Sequence, residues 1–383
     1  MSQERPPLAV FASFSGAGGV ERMLVNLIRG FVDLGQAVEL VLVKAQGPHL
    51  ERVPPQVRQV RLAAGHTHLA APALARYLRQ RRPPALLVAK DRAGRTAVIA
   101  RAIARTATPM VLRLGTNLST AMAERGVIQR WMRYLPIRLL YPRIERIVAV
   151  SEGVARDTAR IARLPRGSIT VIRNPVITPE LAAQGAEPCL HPWLQDERLP
   201  VILGAGRLQR QKDFPTLIRA FAWLNARRTC RLVILGEGRG RAGLEALIQD
   251  LGLTGQVDLP GYQPNPYTFL ARASLFVLSS AWEGSPNILT EALALGVPVV
   301  STDCPSGPSE ILDGGRFGAL VPVGNAEALG AAMATTLDGP LPPDTLRSAV
   351  SEYEQARSAR RYLEVLGLTA DPAPPLTQGL EAR

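Results

Sequence analysis

Two carboxylates and two cations are the residues here whose types and spacing could do chemistry on a small molecule. Glu283 and Glu291 stand eight positions apart in Ala281-Trp-Glu283-Gly284-Ser285-Pro286-Asn287-Ile288-Leu289-Thr290-Glu291. Eight residues along one helix would part them by about 12 Å, too far for two acids on one bond. Gripping hydroxyls at opposite ends of one ligand suits them better. Ordinary solvent-facing glutamates are the alternative, but the Gly284-Ser-Pro-Asn287 turn would expose backbone N–H groups beside Glu283. Arg207 and Lys212 lie in Gly206-Arg207-Leu-Gln-Arg-Gln-Lys212-Asp213-Phe214. Arginine forks onto phosphate oxygens and lysine acts as a point charge, so the pair reads as an anion site or, alternatively, as a solvated charge run. Gly16, Gly18 and Gly19 could bring backbone amides against a phosphate at a helix start, or could simply make a tight turn. A dinucleotide fingerprint would need a further glycine and an acid ending the second strand. Here the run is Gly16-Ala-Gly18-Gly19-Val-Glu21, and the strand ends in Lys44.

The elements that must hold these residues alternate. Apolar runs at 8–14, 37–43, 85–89, 110–114, 147–151 and 169–174 predict buried strands, and 56–62 reads as a half-exposed one. Helical periodicity separates them, first over Val20 to Leu34, where Gly35 stops the helix. A Pro-containing polar stretch at 179–199 reads as a linker. The alternation then restarts with strands at 201–206, 231–236, 256–261, 275–280, 297–302 and 319–323. Helices are expected over 214–226, with Asp213 as N-cap, and over 242–251, 326–337 and 343–367. Strands alternating with helices predict an α/β fold of two doubly wound, Rossmann-like domains with parallel sheets facing across a cleft.

At 383 residues the chain is long enough for two such domains, and 46% hydrophobic content fills both cores. No apolar run approaches a membrane span, and Met1-Ser-Gln-Glu-Arg-Pro-Pro lacks a signal-peptide core, which implies a cytoplasmic protein. Cys189, Cys230 and Cys304 fit neither a disulfide framework nor a zinc set; they read as reduced, with a reactive thiol at Cys304 as the alternative. Charge is polarised: residues 1–178 carry 28 Lys and Arg against 10 Asp and Glu, whereas 179–383 carry 17 against 22. Such asymmetry points to a basic face for an anionic surface, or to a merely solvated one.

Gly18-Gly19-Val-Glu21, Gly206-Arg207-x4-Lys212-Asp213, Gly236-Glu-Gly238 and Glu283-x7-Glu291, in that order, resemble a retaining glycosyltransferase of family 4, with the GT-B fold. The wording from Ser280 to Leu312 is similar to enzymes that build surface polysaccharides and lipid-linked oligosaccharides. The resemblance covers about residues 8 to 340. It implies an acceptor-side domain at 1–178, a linker at 179–199 and a donor-nucleotide domain at 200–342. A helix at 343–367 would pack back toward the amino domain, ahead of a disordered tail at 368–383. It implies that Arg207 and Lys212 neutralise the diphosphate leaving group of a nucleotide-sugar donor, with Gly18 and Gly19 presenting amides to it. Glu283 would hold the transferred sugar and Glu291 the ribose. Gly284, Ser285, Pro286, Asn287, Ile288 and Leu289 would line the donor, and Tyr262 would meet the base. No cofactor and no metal are implied, and UDP is favoured over GDP.

One departure stands out. Many family members carry a histidine where this chain has Gly115, so no catalytic base is named; a departing phosphate that takes the acceptor proton itself would need none. His66 and His68 sit in a loop that could approach the acceptor or could be plain surface. The segment 122–146 interleaves Arg125, Arg130, Arg133, Arg138, Arg143 and Arg146 with Trp131, Met132, Tyr134 and leucines. That mixture suits shallow contact with the anionic inner face of a cell membrane presenting a saccharide or lipid-linked acceptor, or equally a core-facing helix. The rivals are a GT-B sugar-nucleotide epimerase and a non-enzymatic polyanion-binding protein. Few histidines in the motif loops speak against the first. Only 5% aromatics and buried strands speak against nucleic acid as partner.

Overall fold

Short apolar runs bounded by glycine and polar turns become strands, and the helical stretches between them return the chain to the same edge each time. In the computed structural model the described residues are 6–16, 18–196 and 198–368. The expected tail falls almost wholly outside them. The first seven strands are β1 (Leu8–Ser15), β2 (Val38–Gln46), β3 (Arg58–Arg61), β4 (Leu86–Ala89), β5 (Met110–Leu114), β6 (Arg146–Ala149) and β7 (Ile169–Val171). They form a parallel sheet in the order β3-β2-β1-β4-β5-β6-β7. The next six are β8 (Val201–Ala205), β9 (Arg231–Leu235), β10 (Val257–Gly261), β11 (Leu275–Leu278), β12 (Val299–Thr302) and β13 (Ala319–Val321), in the order β10-β9-β8-β11-β12-β13. Each sheet is doubly wound. The order reverses between β1 and β4 in one and between β8 and β11 in the other, and the carboxyl ends flanking such a reversal are where open α/β sheets bind ligands.

Both faces of the second sheet are covered, which is why its strands read as continuous apolar runs. Alternate residues go to opposite sides: Leu203, Val233 and Phe276 pack into one core, and Ile202, Leu232 and Val277 into the other. The 179–199 stretch is not an irregular linker. It carries short helices at Leu181–Ala186 and Pro192–Gln195, and Leu181, Cys189 and Leu194 join the first of those cores. The single helix expected over 343–367 is broken into Pro343–Ser348 and Gln355–Leu366. Tyr353, buried between them, receives Val176 and Ile177 amides on its carbonyl at 3.0 Å. No helix among the described residues is long and apolar enough to cross a membrane.

Two compact units divide the chain, one within Met1–Leu112, Ile144–Arg146 and Ala359–Arg383, the other within Arg113–Arg143 and Ile147–Ser358. In the first, helix Gly19–Asp33 buries Met23, Leu24, Leu27, Ile28 and Phe31, and Phe31 meets the Tyr362 ring edge-on at 6.5 Å. At the reversal point of this unit the buried Glu21 carboxylate pairs with Lys90 at 3.0 Å. Lys90 follows β4 with φ 77°, a backbone region that non-glycine residues enter at a cost of about 1–3 kcal/mol.

Candidate active site

The second unit assembles its charged residues where β8 and β11 lie side by side, with Leu275 paired to Ile202 and Phe276 to Leu203. Glycine makes the assembly possible. Gly206 leaves β8 with φ 154°, and a Cβ there would stand 2.7 Å from the Lys212 side chain. Gly236 leaves β9 with φ 132°, and its Cβ would stand 2.0 Å from the Gly206 carbonyl oxygen. The strand ends are sewn together by Gly206 N–H to Leu235 O at 2.9 Å and Gly236 N–H to Gly261 O at 2.8 Å. From this seam the chain turns out through Arg207, which is exposed and ion-paired to nothing among the described residues, and folds back at Lys212.

Lys212 Nζ lies 2.6 Å from Glu283 Oε1. Glu283 is 7% exposed, so it is no solvent-facing glutamate. The Ser280 hydroxyl donates to the same oxygen at 2.8 Å. Gln211 Nε2 donates to the Trp282 carbonyl at 2.9 Å and reaches Glu283 Oε2 at 3.4 Å. The Lys212 segment is itself tied to the carboxyl end of β11, because its carbonyl accepts from Ser279 Oγ at 2.7 Å and the Gln211 carbonyl accepts from Ala281 N–H at 2.8 Å. One cation and one carboxylate are thus fixed at a single spot by two loops. Asp213 stands at the N-cap position of helix Phe214–Asn225 but does not cap it with its side chain. Its backbone is left-handed, φ 45°, and its carboxylate accepts from Thr216 Oγ1 at 2.7 Å. The Cys304 thiol, buried and next to Glu283, is pushed up to about 12, first by burial and then by that negative charge. A thiol so placed is not a nucleophile at neutral pH.

Behind Glu283 the turn Gly284-Ser285-Pro286 leads into helix Asn287–Ala294, which carries Ile288, Leu289 and Glu291. Glu291 is 1% exposed, with the Tyr267 hydroxyl 3.4 Å from Oε1. The turn is gripped from the other side. The Gly284 carbonyl accepts from Ser151 Oγ at 2.7 Å, and a Cβ on Gly284 would stand 2.1 Å from the Gly115 carbonyl oxygen. Asn117 Nδ2 donates to Ser306 Oγ at 2.8 Å. Glu310 accepts from the Glu152 and Gly153 amides at 2.8 Å each, at the amino end of helix Glu152–Ala162, and pairs with Arg173 at 2.6 Å.

The structure therefore brings Lys212, Glu283 and the 284–286 turn with the helix start at 287–289 together and places Arg207 on the neighbouring strand end. Tyr262 follows β10 and is exposed. Gly18 and Gly19 belong to the other unit, where Gly18 precedes and Gly19 begins helix Gly19–Asp33. His66 precedes and His68 lies within a surface 3-10 turn, Thr67–Leu69, with their rings stacked at 5.6 Å. Ser280, Gln211, Ser151 and Tyr267 were not singled out from sequence. Only Ser280 left a signal, as a hydroxyl three residues before Glu283.

Two doubly wound parallel sheets, one carrying a cationic site at its reversal point, define a protein of the GT-B class. Solved structures of that class superpose along nearly the whole chain. Anabaena Alr3699/HepE, solved with UDP, gives a TM-score of 0.78 at 18% identity, covering 94% of this chain and 99% of that one. A glycosyltransferase from Rickettsia africae gives 0.75 at 15% identity, covering 95% and 98%. The model described as Glycosyltransferase Family 4 matches residues 17–179, and that described as Glycosyl transferases group 1 matches 191–357. The chain belongs to glycosyltransferase family 4. Among curated relatives, a Campylobacter jejuni N-acetylgalactosamine-N,N'-diacetylbacillosaminyl-diphospho-undecaprenol 4-alpha-N-acetylgalactosaminyltransferase is 33% identical over 222 residues, 58% of each chain. The lipopolysaccharide core biosynthesis glycosyltransferase LpsE of Rhizobium meliloti is 39% identical over 134 residues, 35% of this chain and 38% of its own. The matched regions span 58%, 28% and 38% of three such relatives.

Proposed function

We propose that this chain is a retaining, metal-independent glycosyltransferase. It moves a hexose or N-acetylhexosamine from a nucleotide-diphosphate sugar, UDP favoured, to a growing surface polysaccharide or lipid-linked saccharide. The observation that carries the reading is the Lys212–Glu283 pair beside Arg207 at the reversal point of the second sheet, in a family-4 chain. UDP in the superposing Anabaena protein and the undecaprenol-linked substrate named for the Campylobacter relative support the donor and acceptor classes.

Negative charge grows on the departing diphosphate as the glycosidic bond breaks, and preorganised cations there are the dominant catalytic term. Arg207 and Lys212 supply them, with Gly18 and Gly19 offering amides. Glu283, already fixed by Lys212 and Ser280, accepts from hydroxyls of the transferred sugar. Glu291 takes the ribose, the 284–289 turn lines sugar and phosphate, and Tyr262 stacks on the base. The departing phosphate takes the acceptor proton, so no side-chain base is required.

The enzyme works in the cytoplasm, peripheral on the inner face of the membrane. Helix Val127–Leu140 supports this, since only Ile137 of it is buried while Val127, Ile128, Trp131, Met132 and Leu139 are exposed, and the exposed Arg125 and Arg143 stand before and after it in the chain. A thermal-shift panel of nucleotide sugars tests the function. UDP or a UDP-sugar should raise the melting temperature, and turnover should require an added acceptor, with the anomeric configuration of the product read by proton NMR. Failure of both UDP and GDP to stabilise the protein would sink the transferase reading; turnover without acceptor would make it an epimerase.

A further inference from the structure

The two oxygens of the Glu283 carboxylate are not equally engaged. Oε1 takes both strong donors, Lys212 Nζ at 2.6 Å and Ser280 Oγ at 2.8 Å. Oε2 meets Gln211 Nε2 at 3.4 Å, longer than the ordinary range for an N–H donor. Gln211 is half-buried, and its Nε2 also donates to the Trp282 carbonyl at 2.9 Å. Its own backbone carbonyl accepts from Ala281 N–H at 2.8 Å. Main chain and side chain of Gln211 are therefore both tied to the loop that carries Glu283.

We propose that Gln211 is a specificity-determining residue, which reads one hydroxyl of the transferred sugar together with Glu283. A backbone carbonyl accepts and never donates, so the Trp282 contact fixes which end of the carboxamide is the NH2. That NH2 has two protons, one for Trp282 and one for the side of Oε2. A donor and an acceptor 3.4 Å apart satisfy each other poorly. A hydroxyl is the group that satisfies both at once, because it donates to Oε2 while it accepts from Nε2. Lys212 and Ser280 sharpen the choice. They fill the two accepting directions of Oε1, so Oε2 is the oxygen with capacity to spare. A sugar that lacks the hydroxyl, or carries it on the other face of its ring, covers the carboxylate without pairing it, and a site built around a hydroxyl rejects such a ligand.

The inference rests on the transferase reading, and calorimetric titration of the full chain keeps the two apart. The parent ligand is whichever of UDP-glucose, UDP-galactose, UDP-N-acetylglucosamine and GDP-mannose binds tightest. It is compared with analogues that each lack one sugar hydroxyl, and with the bare nucleoside diphosphate. One analogue should bind the wild-type chain about tenfold to a hundredfold more weakly than the parent, the range for one hydrogen bond to a charged group. Gln211→Met should weaken the parent about tenfold. It should leave that analogue and the nucleoside diphosphate within about twofold of wild type, because they never make the bond that is removed. A merely structural Gln211 would weaken all these ligands alike, through the lost Trp282 bond. If Gln211→Met does not fold, Gln211→Asn takes its place: its shorter carboxamide cannot span from Trp282 to the hydroxyl, and the same selective loss is expected. An unchanged parent affinity, a loss spread evenly over all the ligands, or a wild-type panel in which no single hydroxyl stands out overturns the role of Gln211 alone. A wild-type chain that binds none of the four nucleotide sugars overturns the transferase reading and this role with it.

Discussion

Lys212 and Glu283 stand 2.6 Å apart with side chains only 16% and 9% exposed, so each neutralises a charge that burial would otherwise penalise. Removing one partner of such a pair costs more than the pair contributes. Lys212→Met is expected to lower unfolding stability by about 3 kcal/mol in urea titrations, because it strands the carboxylate. Glu283→Gln keeps an acceptor oxygen for Ser280 and Lys212 and loses only the longer contact from Gln211, so a smaller stability loss of about 1–2 kcal/mol and about a hundredfold loss of turnover are expected. Equal stability losses in the two variants would show that the carboxylate charge is not what Lys212 offsets. Alkaline pH probes other buried groups. Burial pushes Cys230 up to about 11 and Cys304 and Tyr353 up to about 12, above the ordinary thiol and phenol values of 9.0 and 10.0. The folded state holds these protons more tightly than the unfolded chain, so stability should be level to about pH 9 and fall above it. Urea midpoints at about pH 7.5 and about pH 10.5 check the sign, and an unchanged midpoint would contradict it.

At the scale of elements, the site depends on backbone meeting backbone. Gly284→Ala would drive its Cβ to 2.1 Å from the Gly115 carbonyl oxygen, and no rotamer change can relieve a clash with main chain. A destabilisation of about 1–3 kcal/mol with loss of transfer is expected. Gly243→Ala, inside helix Arg241–Asp250 with nothing within 4 Å of the new Cβ, is the control. It should gain about 1 kcal/mol from helix propensity. Thermal melts of both variants decide the matter, and a neutral Gly284→Ala would mean that the turn yields. Apolar runs locate the central strands because these are buried on both faces, whereas β3 at a sheet edge is mostly exposed and shows only as a polar–apolar alternation. The 179–199 helices escaped notice because they are one or two turns long and owe their burial to Leu181, Cys189 and Leu194, too few residues to make a period.

For the whole molecule, polarised charge becomes specific only on the folded surface. Val127, Ile128, Trp131, Met132 and Leu139 are exposed on one helix that the exposed Arg125 and Arg143 flank in sequence, a mixture suited to shallow contact with anionic lipid. Cosedimentation with phosphatidylglycerol vesicles should fall severalfold for Ile128→Asp/Trp131→Asp, with UDP binding unchanged. It should also weaken with added salt. Sedimentation that is no stronger on anionic than on neutral vesicles at physiological salt would remove the membrane from the proposed function.

The fold was legible in the chain itself: two rounds of strand–helix alternation, with glycines at strand ends, determine two doubly wound sheets because period and turn chemistry are local properties. So was the candidate site in outline, since Glu283, Glu291, Arg207 and Lys212 cluster in two short motifs at strand ends. Tertiary structure alone decided that Lys212 and Glu283 form one buried pair, 71 positions apart in sequence. It also decided that Asp213 bonds Thr216 rather than capping its helix, and that Asn174, 61 positions from Arg113 and 113 from Asn287, hydrogen-bonds both. Hydrogen bonds of that span leave no periodicity to read. Their partners are chosen by the packing of strand ends, and only the folded chain brings those ends together.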